Sequence, residues 1–163
     1  MKKNIFLLLI LTSVCFANAQ VLPMREQAKA IDEILTDRFN NLLPVLMERN
    51  NIDMWVIVSR EYNEDPVIRT MLPSTWISAR RRTIIVFYNN PEKKVFEKLA
   101  IARYNVGENI KAEWDMQKFP DQWDALINII KTRNPKKIGI NTSTHFGHAD
   151  GLDVTDYNEM MQK

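Results

Sequence analysis

The sequence holds one cysteine, four glycines and two histidines in 163 residues. A lone thiol cannot build a disulfide framework, and so few glycines exclude a collagen-like or glycine-rich chain. The common catalytic signatures are missing as well: there is no Gly-rich phosphate loop, no G-x-S-x-G elbow and no nucleophilic cysteine. Neither sign of charge dominates, with 22 Lys plus Arg against 20 Asp plus Glu. What is present argues for a folded domain. Apolar residues make up 45 % of the chain, and seven Phe, four Trp and four Tyr argue against wholesale disorder. The length fits one domain of roughly 100–200 residues with a core of its own.

One long apolar run stands at the start, MKKNIFLLLILTSVCFANAQ. Lys2 and Lys3 form a cationic lead, Ile5 to Phe16 an apolar stretch, and Ala17-Asn18-Ala19 an A-x-A cleavage site before Gln20. In that order they read as a secretory signal peptide over 1–19. The apolar run falls short of the about 20 residues of a membrane span, so an uncleaved anchor is the lesser reading. Val14 before Cys15 does not suit a lipoprotein. Residues 1–19 hold two lysines, no acid and the only cysteine, leaving 144 residues with 20 basic and 20 acidic groups. That balance points to neither nucleic acid nor an anionic membrane as partner. A cysteine-free mature chain suits an oxidising compartment, periplasmic or extracellular.

From Met24, the apolar residues Ala28, Ile31, Leu35, Phe39, Leu42 and Leu46 recur at steps of three and four between charged ones. This spacing predicts an amphipathic helix. Pro44 predicts a break near Leu43, with a second short helix ending around Asn50-Asn51. Met54 to Val58 and Thr83 to Tyr88 are unbroken apolar runs that read as strands buried on both faces. Val95 to Tyr104 reads as a third strand in a hairpin with the second, Phe119 to Arg133 as a helix stopped by Asn134-Pro135, and Lys137 to Asn141 as a last strand. The expected fold is α/β, a mixed β-sheet flanked by helices. Asp153 or Thr155 would cap a final helix with Tyr157, Met160 and Met161 as its first apolar members. At barely two turns it would have nothing to bury itself against, and the chain reads as cut short.

Few residues suggest chemistry. His145, His148 and Asp150 could ligate a metal, but Gly147 separates the histidines and no further Cys or His is near; they read as surface or hinge residues. The cluster Arg60, Glu61, Tyr62, Asn63, Glu64, Asp65 follows the first buried strand, where open α/β sheets place ligands. It reads first as a solvated turn with salt bridges, and otherwise as a contact surface for a neighbouring domain. Arg80, Arg81 and Arg82 could cradle an anion; a charged strand entrance, with interdomain ion pairs, is the simpler reading. The four tryptophans have no regular spacing and read as core or partner-facing bulk.

Three segments carry a resemblance: LLPVLMERNNIDMWVIVSREYNEDPVIRTMLPSTWISARRRTIIVFY, FPDQWDALINIIKTRNPKKIGIN and ADGL. Together they resemble the amino-terminal domain of the creatinase/prolidase/Xaa-Pro aminopeptidase family, in its exported bacterial branch. The likeness runs from about Met24 to the end, and IDMWVIVSREYNEDP is its most specific part. It implies a two-domain parent whose carboxy-terminal pita-bread domain holds two divalent metal ions, often manganese, through two Asp, one His and two Glu. None of those ligands falls within the matched part, so catalytic and metal residues on this chain are none. Residues 20–148 would be the amino-terminal domain, and 149–163 the junction into a truncated catalytic domain.

The expectation is thus a non-catalytic domain of an exported Xaa-Pro aminopeptidase or dipeptidase, inactive alone, that contributes cleft closure and assembly. Its partners would be its own missing catalytic domain, a second copy in a homo-oligomer, and peptide substrate only in the full-length protein. Arg60, Glu61, Asn63, Asp65, Arg80, Arg81 and Arg82 become candidate interdomain or subunit contacts. The alternative is a stand-alone periplasmic binding or interaction domain of the same fold. Creatinase-like relatives, which use a related fold without metals, are a third reading.

Overall fold

A computed structural model describes residues 21–163; the expected signal peptide lies outside the described residues. Helix α1 spans Met24–Asp37 and turns one buried residue, Leu35, inward near its end. Pro44 has no N–H to return to the carbonyl four residues back. Ahead of it the helix widens into a π turn over Arg38–Leu42, in which the Leu43 N–H bonds to the Arg38 carbonyl. It resumes as α2, Leu43–Arg49. The wider turn places Phe39 fully inside, followed by Leu43 and Met47.

Five strands follow: β1 Met54–Arg60, β2 Arg82–Asn90, β3 Val95–Ile101, β4 Lys111–Ala112 and β5 Ile138–Ile140. They form one mixed sheet in the order β4-β3-β2-β1-β5. β1–β2 and β2–β3 are antiparallel, whereas β1–β5 and β3–β4 are parallel. The β2–β3 hairpin confirms the pairing expected from sequence, although β3 stops at Ile101 and leaves Ala102 to Tyr104 in the following loop. Asp53 fixes the other edge. Its carboxylate accepts from the Lys136 and Lys137 N–H groups at 2.6 and 3.0 Å, which seats β5 beside β1.

Side chains alternate across a sheet, and here both faces are covered. On one face Ile57, Ile85, Phe87 and Ala100 pack with Leu35, Phe39, Leu43 and Met47 of the α1–α2 layer. On the other, Met54, Val56, Ile84, Val86 and Ile101 pack with Trp123, Leu126 and Ile129 of helix α4, Gln122–Arg133. This arrangement is an α/β sandwich, and it explains why β1 and β2 read as unbroken apolar runs. Asp121 caps α4 by accepting from the Trp123 N–H, and left-handed Asn134 (φ 49°) ends it. A single helical turn, α3 (Pro66–Arg69), lies between β1 and β2. No helix among the described residues is long and apolar enough to cross a membrane.

The final helix, α5, spans Val154–Met161 and is capped by Asp153 as expected. The expectation that it has nothing to bury itself against is overturned. Its inward group is a carboxylate: Asp156 is 1 % exposed, while Leu152 just before it is buried and Met160 packs against the α4-side core. Gly151 lets this segment approach. A Cβ there would stand 2.9 Å from the Cβ of buried Asp65 and closer still to its carboxylate.

Phe87 is the hub of the α1–α2 side, fully buried, with Phe39, Trp55 and Phe96 rings 5.4, 6.1 and 6.2 Å away. Phe87→Ala is expected to cost about 3–5 kcal/mol, read as a lower urea midpoint at unchanged slope. A loss below about 1 kcal/mol would mean that this core is not packed as described.

Candidate functional site

The antiparallel register of β1 and β2 ends by setting Arg60 directly opposite Arg82. Like charges in that position repel, and α5 supplies the answer from across the chain. Asp156 accepts from Arg60 Nε at 2.9 Å and Nη2 at 2.8 Å, a two-pronged contact, and from Arg82 Nη1 at 3.3 Å. Glu159, one turn on, accepts from Arg82 Nη1 and from the Trp123 indole, both at 2.8 Å. The Arg82 guanidinium lies 4.5 Å above the Trp123 ring and donates from Nε to Gln122 at 2.9 Å. Lys163 closes the far end on Asp121 and Asp124, at 2.6 and 2.8 Å.

Burial pushes the Asp156 carboxyl up, but the hydrogen bonds and charges of Arg60 and Arg82 together outweigh it and hold the group below the usual carboxylate range. Hydrogen bonds from Trp123 and Arg82 likewise lower Glu159.

On the open side of the same arginines lies a cleft of about 790 Å³. Its charged lining is Arg60, Arg80, Arg81, Arg82, Arg103 and Glu61, and its aromatic lining is Trp76, Tyr104 and Trp114. Three loops supply its charged groups. Arg60 and Glu61 leave β1, the Trp76–Arg81 stretch enters β2, and Arg103 and Tyr104 follow β3. The Glu61 N–H bonds to the Arg81 carbonyl at 2.6 Å, tying the first two loops together. Arg81 turns with φ 50°, and Arg80 lies 5.7 Å over the Trp76 ring. With five guanidiniums and one carboxylate on its walls, the cleft is suited to negatively charged groups.

Five of the seven candidate residues therefore share one cleft: Arg60, Glu61, Arg80, Arg81 and Arg82. Asn63 is exposed but does not line it. Asp65 is buried, where it caps α3 through the Ile68 N–H at 2.7 Å and accepts from Asn141 at 2.7 Å. Asn141 in turn accepts from the Trp55 indole at 2.8 Å. Glu64 is also buried and accepts from the Ala79 N–H at 2.7 Å. The solvated turn expected here is instead half interior, its acids holding loops in place. Arg103, Tyr104 and Trp114 were not legible as site residues. Reading Val95–Tyr104 as one strand hid the first two, and Trp114 follows a strand of two residues.

The histidine segment brings no metal set together. His145 and His148 are exposed, and Asp150 accepts from the Ser143 N–H at 3.1 Å. Among the described residues no three His, Cys, Asp or Glu side chains converge.

The Asp156 pairing predicts a pH-dependent stability. A carboxylate whose folded pKa is depressed contributes fully above its unfolded pKa of about 3.9 and loses that contribution as pH falls through the folded value. Asp156→Asn should cost about 2 kcal/mol at neutral pH, less than a fully buried pair because solvent reaches Arg60. The gap between wild type and variant should close as pH falls below about 4. Urea midpoints measured from pH 7 to pH 3 test this, and a gap independent of pH would contradict it.

Compared with protein-family models, curated proteins and solved structures, the chain matches none of them.

Proposed function

We propose that this chain is the non-catalytic amino-terminal domain of an exported, metal-dependent Xaa-Pro aminopeptidase or dipeptidase, contributing cleft closure and assembly. The observation that supports the reading is the arginine-lined cleft at the strand ends, which gathers five of the seven candidate contact residues on one face. Exposed Tyr62, Ile77 and Tyr104, on the loops that build this end, supply apolar area for a neighbouring domain or subunit. The α/β sandwich with a mixed sheet agrees with the domain that the resemblance implies. Export rests on the pattern of residues 1–19.

In this reading the metals and the hydrolytic chemistry they supply belong to the further domain. The present chain shapes and closes the cleft above it. A stand-alone binding domain is the second reading. It draws on the same cleft, whose volume lies within the range of small-molecule sites.

Reading the source locus beyond the codon for Lys163 separates the two. The peptidase reading expects the frame to continue for a further domain of about 200 residues that carries two Asp, one His and two Glu. The protein from that longer frame should cleave Xaa-Pro peptides in the presence of a divalent metal, and residues 20–163 alone should not. A stop codon directly after Lys163 would overturn the reading.

A further inference from the structure

The arginines of the cleft fall into two groups. Arg60 and Arg82 spend their charge on Asp156 and Glu159. Among the described residues, Arg80, Arg81 and Arg103 have no carboxylate within ion-pair range, and no side-chain hydrogen bond holds their guanidiniums. They come from two separate loops that meet over one concavity walled by Trp76 and Trp114. Mutual repulsion would disperse unpaired exposed guanidiniums, yet the fold works against dispersal. Arg81 sits in a left-handed backbone conformation whose N–H meets Glu61, and Arg80 rests on Trp76.

We propose that the cleft is a binding site for a small anion carrying two or more phosphate or carboxylate groups, gripped by Arg80, Arg81 and Arg103. A guanidinium presents a planar fork that meets such oxyanions two-pronged. Three forks on two loops favour a ligand with several charged groups over a single one. The cleft can hold it: sites for small molecules span about 300–1,000 Å³, and this one measures about 790 Å³. All three arginines belong to this domain, so this chain by itself is enough to test the site.

The test is calorimetric titration of the full chain with tripolyphosphate, pyrophosphate and citrate at low salt, followed by the Arg81→Gln/Arg103→Gln double variant. Both side chains are exposed and make no side-chain hydrogen bond, so an unchanged melting temperature will certify the variant's fold. At least one of the three anions is expected to bind with one-to-one stoichiometry, and the double variant to bind it at least about tenfold more weakly. Tighter binding of the phosphates or of citrate identifies which oxyanion the natural ligand carries. A second variant, Lys136→Ala/Lys137→Ala, removes the same charge from another part of the surface and should leave binding unchanged. No heat with any of the anions would overturn the proposal. So would equal loss in both variants, since that means diffuse attraction rather than a site.

Discussion

A single carboxylate, Asp156, reconciles two arginines that the sheet forces together. The β1–β2 ladder fixes Arg60 opposite Arg82, and neither residue can leave that position without giving up the register that buries Ile57 and Ile85 on one face and Val56 and Ile84 on the other. An unpaired charge buried at Asp156 would be costly, and two facing arginines would repel. Each defect resolves the other. The consequence reaches beyond the three residues, because Asp156 lies near the end of the sequence and the arginines lie near its middle. Pairing them binds the last helix to the ends of the central strands, with Leu152 and Met160 adding apolar contact and Gly151 permitting the approach to Asp65.

That clamp also explains the character of the cleft. α5 neutralises Arg60 and Arg82 from one side, and Arg80, Arg81 and Arg103 remain on the other with no ion pair among the described residues. The neighbouring acids are committed elsewhere: Glu64 and Asp65 hold loops by accepting backbone and amide hydrogen bonds. A chain with nearly balanced total charge thus shows a locally cationic concavity. Segregation of charge by the fold produces it, and net charge gives no hint of it.

The sequence revealed its layers far better than its contacts. Steps of three and four marked α1, and the unbroken runs Met54–Val58 and Thr83–Tyr88 marked the two central strands, because burial on both faces leaves no polar residue to interrupt them. Pro44 announced the change in the first helix, though its form as a π turn depends on how Phe39 must enter the core. The two-residue strand β4 left no periodic signal. The last helix was misjudged for a physical reason: its partner is electrostatic, and hydrophobic spacing cannot register a buried Asp that pairs with residues 74 and 96 positions away. Arg80 to Arg82 were visible as a run, but only the fold reveals that Arg82 is paired and its two neighbours are not.

The most direct test of this account is a double-mutant cycle on Arg60 and Asp156, using Arg60→Gln, Asp156→Asn and the combined variant at neutral pH. Arg60 serves well because, among the described residues, its carboxylate contacts come only from α5 and its cap, Asp153 and Asp156. If the carboxylate offsets the facing arginines, the double variant will be more stable than the sum of the single losses predicts, with a coupling of about 1–3 kcal/mol. Losses that add to within about 0.5 kcal/mol would show the two residues to be independent and the clamp to be without energetic weight.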